Sequence, residues 1–338
     1  MVAGHRNIKR IAHRMIEELD ATKRVAKVTS WSGALITLRA KIDIQIMNHN
    51  GYMETAGFKK HLIKKHKVML EYFENAFSNY IASYDFNRTS CNGASEFENC
   101  IWVCWWQGEE HAPDIVKKCI NSIRQNVNGR RVIVITEANY KDYVSFPEWI
   151  EEKRKKGIIS RTHYSDLLRL ELLAKHGGMW VDSTFFCTGN ALEQYLSWPV
   201  WSIKRPDYFH ASIASGYFAN YSFGCDFEHR SIFAILRDFA FQYWRMNDSM
   251  IDYLFLDYLI VLVQRHSEKV NRAFKDITSN NPMCDELYKR LANPYDEKKW
   301  QELKEDTYMF KLSWKQSYPK EKNGEKTFYG MLLDGKLS

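Results

Sequence analysis

Two adjacent glycines, Gly177 and Gly178, separate a leucine-rich stretch from a short apolar run that ends on a carboxylate. The segment reads Ser165-Asp-Leu-Leu-Arg-Leu-Glu-Leu-Leu-Ala-Lys-His-Gly-Gly-Met-Trp-Val-Asp-Ser-Thr184. A helix places Asp166 and Arg169 at i, i+3 on one face. The glycines then supply the positive φ that ends a helix, and Met179-Trp180-Val181 carries Asp182 to a strand end. In open α/β sheets, ligands bind at the carboxyl ends of strands. A carboxylate there either takes part in binding or closes the strand and caps a turn with Ser183 and Thr184.

The flanking pattern supports a sheet. Strands are expected at 101–106, 131–136 and 179–182, with helices at 113–125, 139–155 and 162–176. That alternation is the βαβ signature of a doubly wound α/β sheet. Further on, short strands are expected at Val200–Ile203 and Ile213–Ala219, then helices near 228–244 and 249–265. Positions 5–83 read as helical, with Phe58, Leu62, Met69, Leu70 and Phe73 on one stripe, although the alternation Ile42, Ile44, Ile46 suits a short strand equally well. The polar stretch Asn87–Asn99 reads as a linker. The expected organisation is a helical basic segment (1–90), an α/β domain (91–330) and a tail (331–338), with Lys320–Lys326 charged and mobile. At 338 residues, 45% hydrophobic and 14% aromatic, the chain is large enough to bury a substantial core.

Charge is unevenly placed. Residues 1–90 hold 15 Lys+Arg against 8 Asp+Glu, a surplus equal to the +7 of the whole chain. There Ile8, Ile11, Ala12, Met15, Ile16 and Leu19 follow a helical stripe opposite Arg6, Lys9, Arg10, His13 and Arg14. Such a helix lies on an anionic membrane surface or packs its stripe on the protein. Lys59, Lys60, Lys64, Lys65 and Lys67 suggest a second basic face. Nucleic acid is not an expected partner, because the remainder is formally neutral and carries no recognised binding motif. Seven cysteines without a C-x-x-C pair indicate free thiols in a reducing compartment. No apolar leader is visible in residues 1–20. Met250–Val263, the longest apolar candidate, is broken by Asp252 and Asp257 and is too short to span a bilayer. The expected location is cytoplasmic, peripheral on the inner face of the plasma membrane. His111, His163, His176 and His229 show no metal-ligand spacing.

The pattern Ser165-Asp166, Arg169, Gly177-Gly178, Asp182-Ser183-Thr184 resembles the capsular polysaccharide synthesis proteins, relatives of the toxin-like sugar transferases of family 32 with a GT-A fold. The resemblance extends to Ile101–Pro113, Cys119–Ile123, Ile251–Tyr258 and Phe310-Lys-Leu-Ser-Trp-Lys315, and leaves the first hundred residues uncovered. It implies a GT-A-like nucleotide-sugar-binding domain and a glycosyltransferase, with a UDP-sugar as donor and an oligosaccharide or lipid-linked glycan as acceptor. A retaining outcome is implied as well.

The resemblance also distributes roles. Asp166 and Arg169 would place the donor sugar, and Gln107 and Gly108 would border the nucleotide. At most one of Trp105 and Trp106 would touch the base. Trp314 and Lys315 would cover the diphosphate, and Asp257 would face the acceptor or donor sugar. Asp182 would hold a divalent cation, Mn²⁺ or Mg²⁺, with Thr184 where relatives carry a second acid and Ser313 lending an oxygen. The alternatives are a non-catalytic membrane-surface scaffold with a degenerate D-x-D site, or a nucleotide-sugar hydrolase.

Overall fold

The computed structural model describes residues 18–88, 95–189, 191–206 and 209–337. The basic face read over Arg6–Arg14 and its apolar stripe from Ile8 to Ile16 therefore lie outside the described residues, and Leu19, the last residue of that stripe, is exposed. The chain divides into two compact units, one drawn from segments 1–85, 207–215 and 249–266, the other from 86–206, 216–248 and 267–338.

The second unit is a mixed α/β structure. Its strands are β1 (Ile101–Cys104), β2 (Val132–Ile135), β3 (Gly178–Val181), β4 (Phe185–Cys187), β5 (Val200–Ser202), β6 (Ser222–Cys225) and β7 (Met309–Lys311). Five form one sheet in the order β2-β1-β3-β6-β5. β1 lies parallel to both β2 and β3, with Ile101 opposite Val132 on one side and Met179 on the other. β6 runs antiparallel to β3 and β5.

From β1 the chain passes through the helix Asp114–Gln125 to β2 on one side. It then returns through the helices Glu148–Lys155 and Arg161–His176 to β3 on the other. The strand order thus reverses between β1 and β3, and crossovers of one hand on opposite sides put their helices on opposite faces. Such a reversal opens a crevice beyond the carboxyl ends of the two strands. Cys104-Trp105-Trp106 and Val181-Asp182 leave the sheet there.

Antiparallel pairing of β4 with β7, Phe185 opposite Lys311, brings a C-terminal strand beside the turn that follows β3. Ile101, Val103, Met179, Val181, Phe185, Phe310 and Trp300 share one continuous core.

Three expectations are corrected. The helix foreseen over 139–155 begins only at Glu148, after a 3-10 turn at Tyr140–Asp142, because Pro147 forces the residue before it out of the helical region. No strand forms at 213–219, which is a run of turns. Lys320–Lys326 is a hairpin, Glu321–Lys322 against Glu325–Lys326, closed by Asn323 and Gly324 at φ 53° and 82°. Asn-Gly with both φ positive is the favoured two-residue connection.

The first unit is helical: residues 18–28, Trp31–His49, Ala56–Ser83 and Phe255–His266. Ser30 caps Trp31–His49 by accepting the Gly33 N–H at 3.0 Å. The isoleucine alternation is therefore helical, with Ile44 half-buried and Ile42 and Ile46 exposed. Phe73 stacks on Tyr258 at 5.7 Å. Lys65 is not part of a basic face, since it is buried and pairs with Asp252 at 2.9 Å. Asp252 precedes its helix and accepts the Leu254 N–H at 3.0 Å. Among the described residues, no helix is long and apolar enough to cross a membrane.

Candidate functional site

The helix Arg161–His176 buries Leu167, Leu168, Leu170, Leu172 and Leu173, so its apolar surface runs most of the way round. Asp166 and Arg169 are consequently buried too. Charges taken out of water must be partnered, and these partner each other: Arg169 Nη2 lies 3.1 Å from Asp166 Oδ1. The same nitrogen is 3.7 Å from Asp182 Oδ1, just past the end of β3. The guanidinium lies 5.1 Å from the centre of the Trp180 ring, and its other arm donates to the Asn220 carbonyl.

Asp182 collects two further side-chain contacts. The Trp180 indole N–H donates to Oδ1 at 2.9 Å, and the Lys311 ammonium donates to Oδ2 at 2.9 Å. Lys311 also donates to Thr184 Oγ1 at 2.7 Å. Burial alone would push the Asp182 carboxyl up. Lys311, Arg169 and the hydrogen bonds from Lys311 and Trp180 outweigh it and hold the group below the ordinary carboxylate range. With 26% of its side chain exposed, Asp182 remains open to a ligand. At the end of β1, burial and the nearby Asp182 charge push the Cys104 thiol up, which makes it a poor nucleophile.

The aromatic pair after β1 splits. Trp106 is buried against Tyr140 and Tyr164 and donates its indole N–H to Ser165 Oγ at 2.8 Å, so it ties β1 to the Arg161–His176 helix. Trp105 meets Trp314 edge-on at 5.6 Å, and Trp314 is half exposed. Gln107 is exposed, and Gly108 takes a φ of 87° with its N–H on the Trp105 carbonyl. Lys315 is exposed, and its backbone N–H donates to Ser313 Oγ at 3.2 Å.

The structure therefore brings together Asp166, Arg169, Asp182 and Thr184, and joins Trp314 to Trp105. Asp257 belongs to the helical unit, where it is buried and accepts the Ser212 hydroxyl at 3.0 Å. The residue missed from sequence is Lys311, which opens the same Lys-Leu-Ser-Trp-Lys stretch in which Lys315 drew attention. Its strand position, with two buried apolar neighbours before it, was the available signal.

These donors can be tested against a divalent cation. A hard cation needs several oxygens free of other donors. The Asp182 carboxylate already accepts from an ammonium and an indole and faces a guanidinium, while Thr184 Oγ1 accepts from the same ammonium. Among the described residues, no group of three or more His, Cys, Asp or Glu side chains could hold a metal ion. Asp182 and Thr184 do meet, but around Lys311, and this arrangement does not fit a divalent cation.

Residues 50–332 match the family model described as capsular polysaccharide synthesis protein. The chain belongs to that family. No curated protein and no solved structure matches it. The family match reaches well upstream of residue 101, where the motif resemblance began, and takes in the whole helix Ala56–Ser83. It also spans every residue of the Asp166, Arg169, Asp182 and Lys311 cluster. Membership gives the chain a role in capsule biosynthesis.

Proposed function

We propose that the chain is a glycosyltransferase that moves a sugar from a nucleoside-diphosphate donor, a UDP-sugar, to a capsular or other cell-surface polysaccharide acceptor. The observation that carries the reading is the pairing of Arg169 with both Asp166 and Asp182 at the β1/β3 strand reversal, inside the family match. Bond cleavage at a sugar's anomeric carbon develops negative charge on the departing diphosphate and positive charge on the sugar. Fixed cations beside the one and a fixed carboxylate beside the other are the groups that stabilise such a state.

In this reading Asp166, oriented by Arg169, bonds the donor sugar, and Trp314 covers the nucleotide with Trp105 behind it. Lys315 reaches the diphosphate from the exposed segment that follows β7. A lipid-linked acceptor at a membrane surface suits the basic surplus of the first 90 residues. Retention of anomeric configuration is part of the proposal.

The test is a calorimetric titration of the full chain with UDP, GDP and CDP, followed by transfer assays with the matching sugar nucleotides. Binding of one nucleotide, with transfer from the matching sugar nucleotide to an acceptor, supports the transferase. Silence across the panel favours a scaffold. Release of free sugar at a rate unaffected by acceptor favours a hydrolase.

A further inference from the structure

We propose that Lys311, together with Arg169, stands in for a divalent cation at this site, so that the chain binds its nucleoside diphosphate without metal. The inference rests on the glycosyltransferase reading above and concerns how that donor is held.

Position comes first. The Lys311 ammonium lies within hydrogen-bond distance of the first and third residues of Asp182-Ser183-Thr184, at 2.9 and 2.7 Å. Those are the two side chains that a metal-dependent site would turn toward its cation. Threonine suits an ammonium here, because its neutral oxygen accepts one N–H without adding a second negative charge.

Charge balance agrees. Two carboxylates around one divalent cation sum to zero, and so do Asp166 and Asp182 around the guanidinium of Arg169 and the ammonium of Lys311. A divalent ion entering this group would have to displace an ammonium from Asp182 or sit beside two fixed cations.

Access and rigidity complete the argument. An ammonium has three N–H donors, and two of them go to Asp182 and Thr184. The third remains for an oxygen of the ligand, and the Lys311 side chain is 23% exposed. The backbone holds Lys311 in place: it lies opposite Phe185 in the β4–β7 pair, and the next N–H, of Leu312, donates to the Thr184 carbonyl at 2.9 Å. The rings of Phe185 and Tyr221, each with its centre 5.3 Å from Nζ, flank the ammonium. Lysine is a recognised point-charge binder of phosphate.

The experiment is calorimetry on the full chain with UDP, GDP and CDP, first in EDTA and then in excess Mn²⁺. Wild type is expected to bind one nucleotide in EDTA, with an affinity that Mn²⁺ changes by less than about threefold, a difference well below one charged hydrogen bond. Lys311→Ala is expected to weaken that binding about 30-fold or more, as loss of a charge-assisted bond does, and Lys311→Arg to recover most of it. Wild-type binding that requires Mn²⁺ overturns the inference and leaves the transferase standing. Absence of binding by all three nucleotides in both conditions overturns both. The wild-type comparison decides the matter even where Lys311→Ala does not fold.

Discussion

A Cβ built on Gly178 would stand 2.3 Å from the carbonyl oxygen of Cys100, at a backbone φ of 81°. That oxygen accepts the Met179 N–H at 3.0 Å, so it cannot retreat without loosening β3 from β1. Gly178→Ala is therefore expected to cost about 3 kcal/mol or more, a left-handed alanine plus a displaced strand. Gly157→Ala is the control: its φ is 72° but nothing lies within 4 Å, and only about 1 kcal/mol is expected. Urea unfolding of the two variants compares them, and equal costs would show that the β1–β3 contact is not what requires Gly178.

The contrast between that glycine and Lys311 shows what sequence could and could not reveal. Gly177-Gly178, the leucines before it and Asp182 after it form one local pattern, so the helix, the break and the strand were legible to within a residue. Lys311 matters only because β7 pairs with β4, which brings together residues 129 positions apart in sequence. No local period announces such a pairing. Lys65 was misread for the same reason. It sits in a lysine-rich run that looks solvated, and only the fold delivers Asp252 to it. Asp257 read as one piece with the α/β site, yet segment 249–266 is gathered into the helical unit.

The Lys65 and Asp252 side chains are only 3% and 4% exposed, which makes their ion pair a test of the helical unit. Lys65→Met leaves the Asp252 charge buried without its ammonium and is expected to cost about 3–5 kcal/mol. Adding Asp252→Asn removes that charge and keeps an oxygen for the Leu254 N–H, so the double variant should recover at least about 1 kcal/mol. Chemical denaturation of Lys65→Met, Asp252→Asn and the double variant measures the coupling. A double variant no more stable than the single one would show that the unpaired charge is not the source of the loss.

Acid should destabilise the chain through His66. Burial lowers its pKa from 6.5 to about 4, against opposing contributions from the His210 carbonyl and Asp252. Its Nε2 lies 2.8 Å from that carbonyl and its Nδ1 2.7 Å from the Tyr258 hydroxyl, an arrangement made by a neutral ring. Between these two pKa values the unfolded chain binds more protons, so stability rises with pH. The contribution is complete above about pH 6.5 and is lost as pH falls through about 4, up to roughly 3 kcal/mol. Melting temperatures followed from pH 7 to pH 4 should fall more steeply in wild type than in His66→Gln. Parallel slopes would assign the acid sensitivity to other groups.

Arg169 separates charge from geometry in the proposed transfer. A lysine there keeps the positive charge, but a single ammonium cannot take over every role of the guanidinium. That group lies beside Asp166 and Asp182, stacks over Trp180 and donates to the Asn220 carbonyl. Asp166 would then lose the partner that aims it at the donor sugar. Arg169→Lys is expected to lower kcat/KM about 100-fold, close to 2.7 kcal/mol of transition-state stabilisation. Nucleotide affinity should change less, because Lys311 keeps its own contacts with Asp182 and Thr184. Steady-state kinetics beside calorimetry on the same preparation read the two effects separately. A variant that keeps full kcat/KM would mean that the site needs only a positive charge at this position, and that the shared fork between the two carboxylates does not orient the donor.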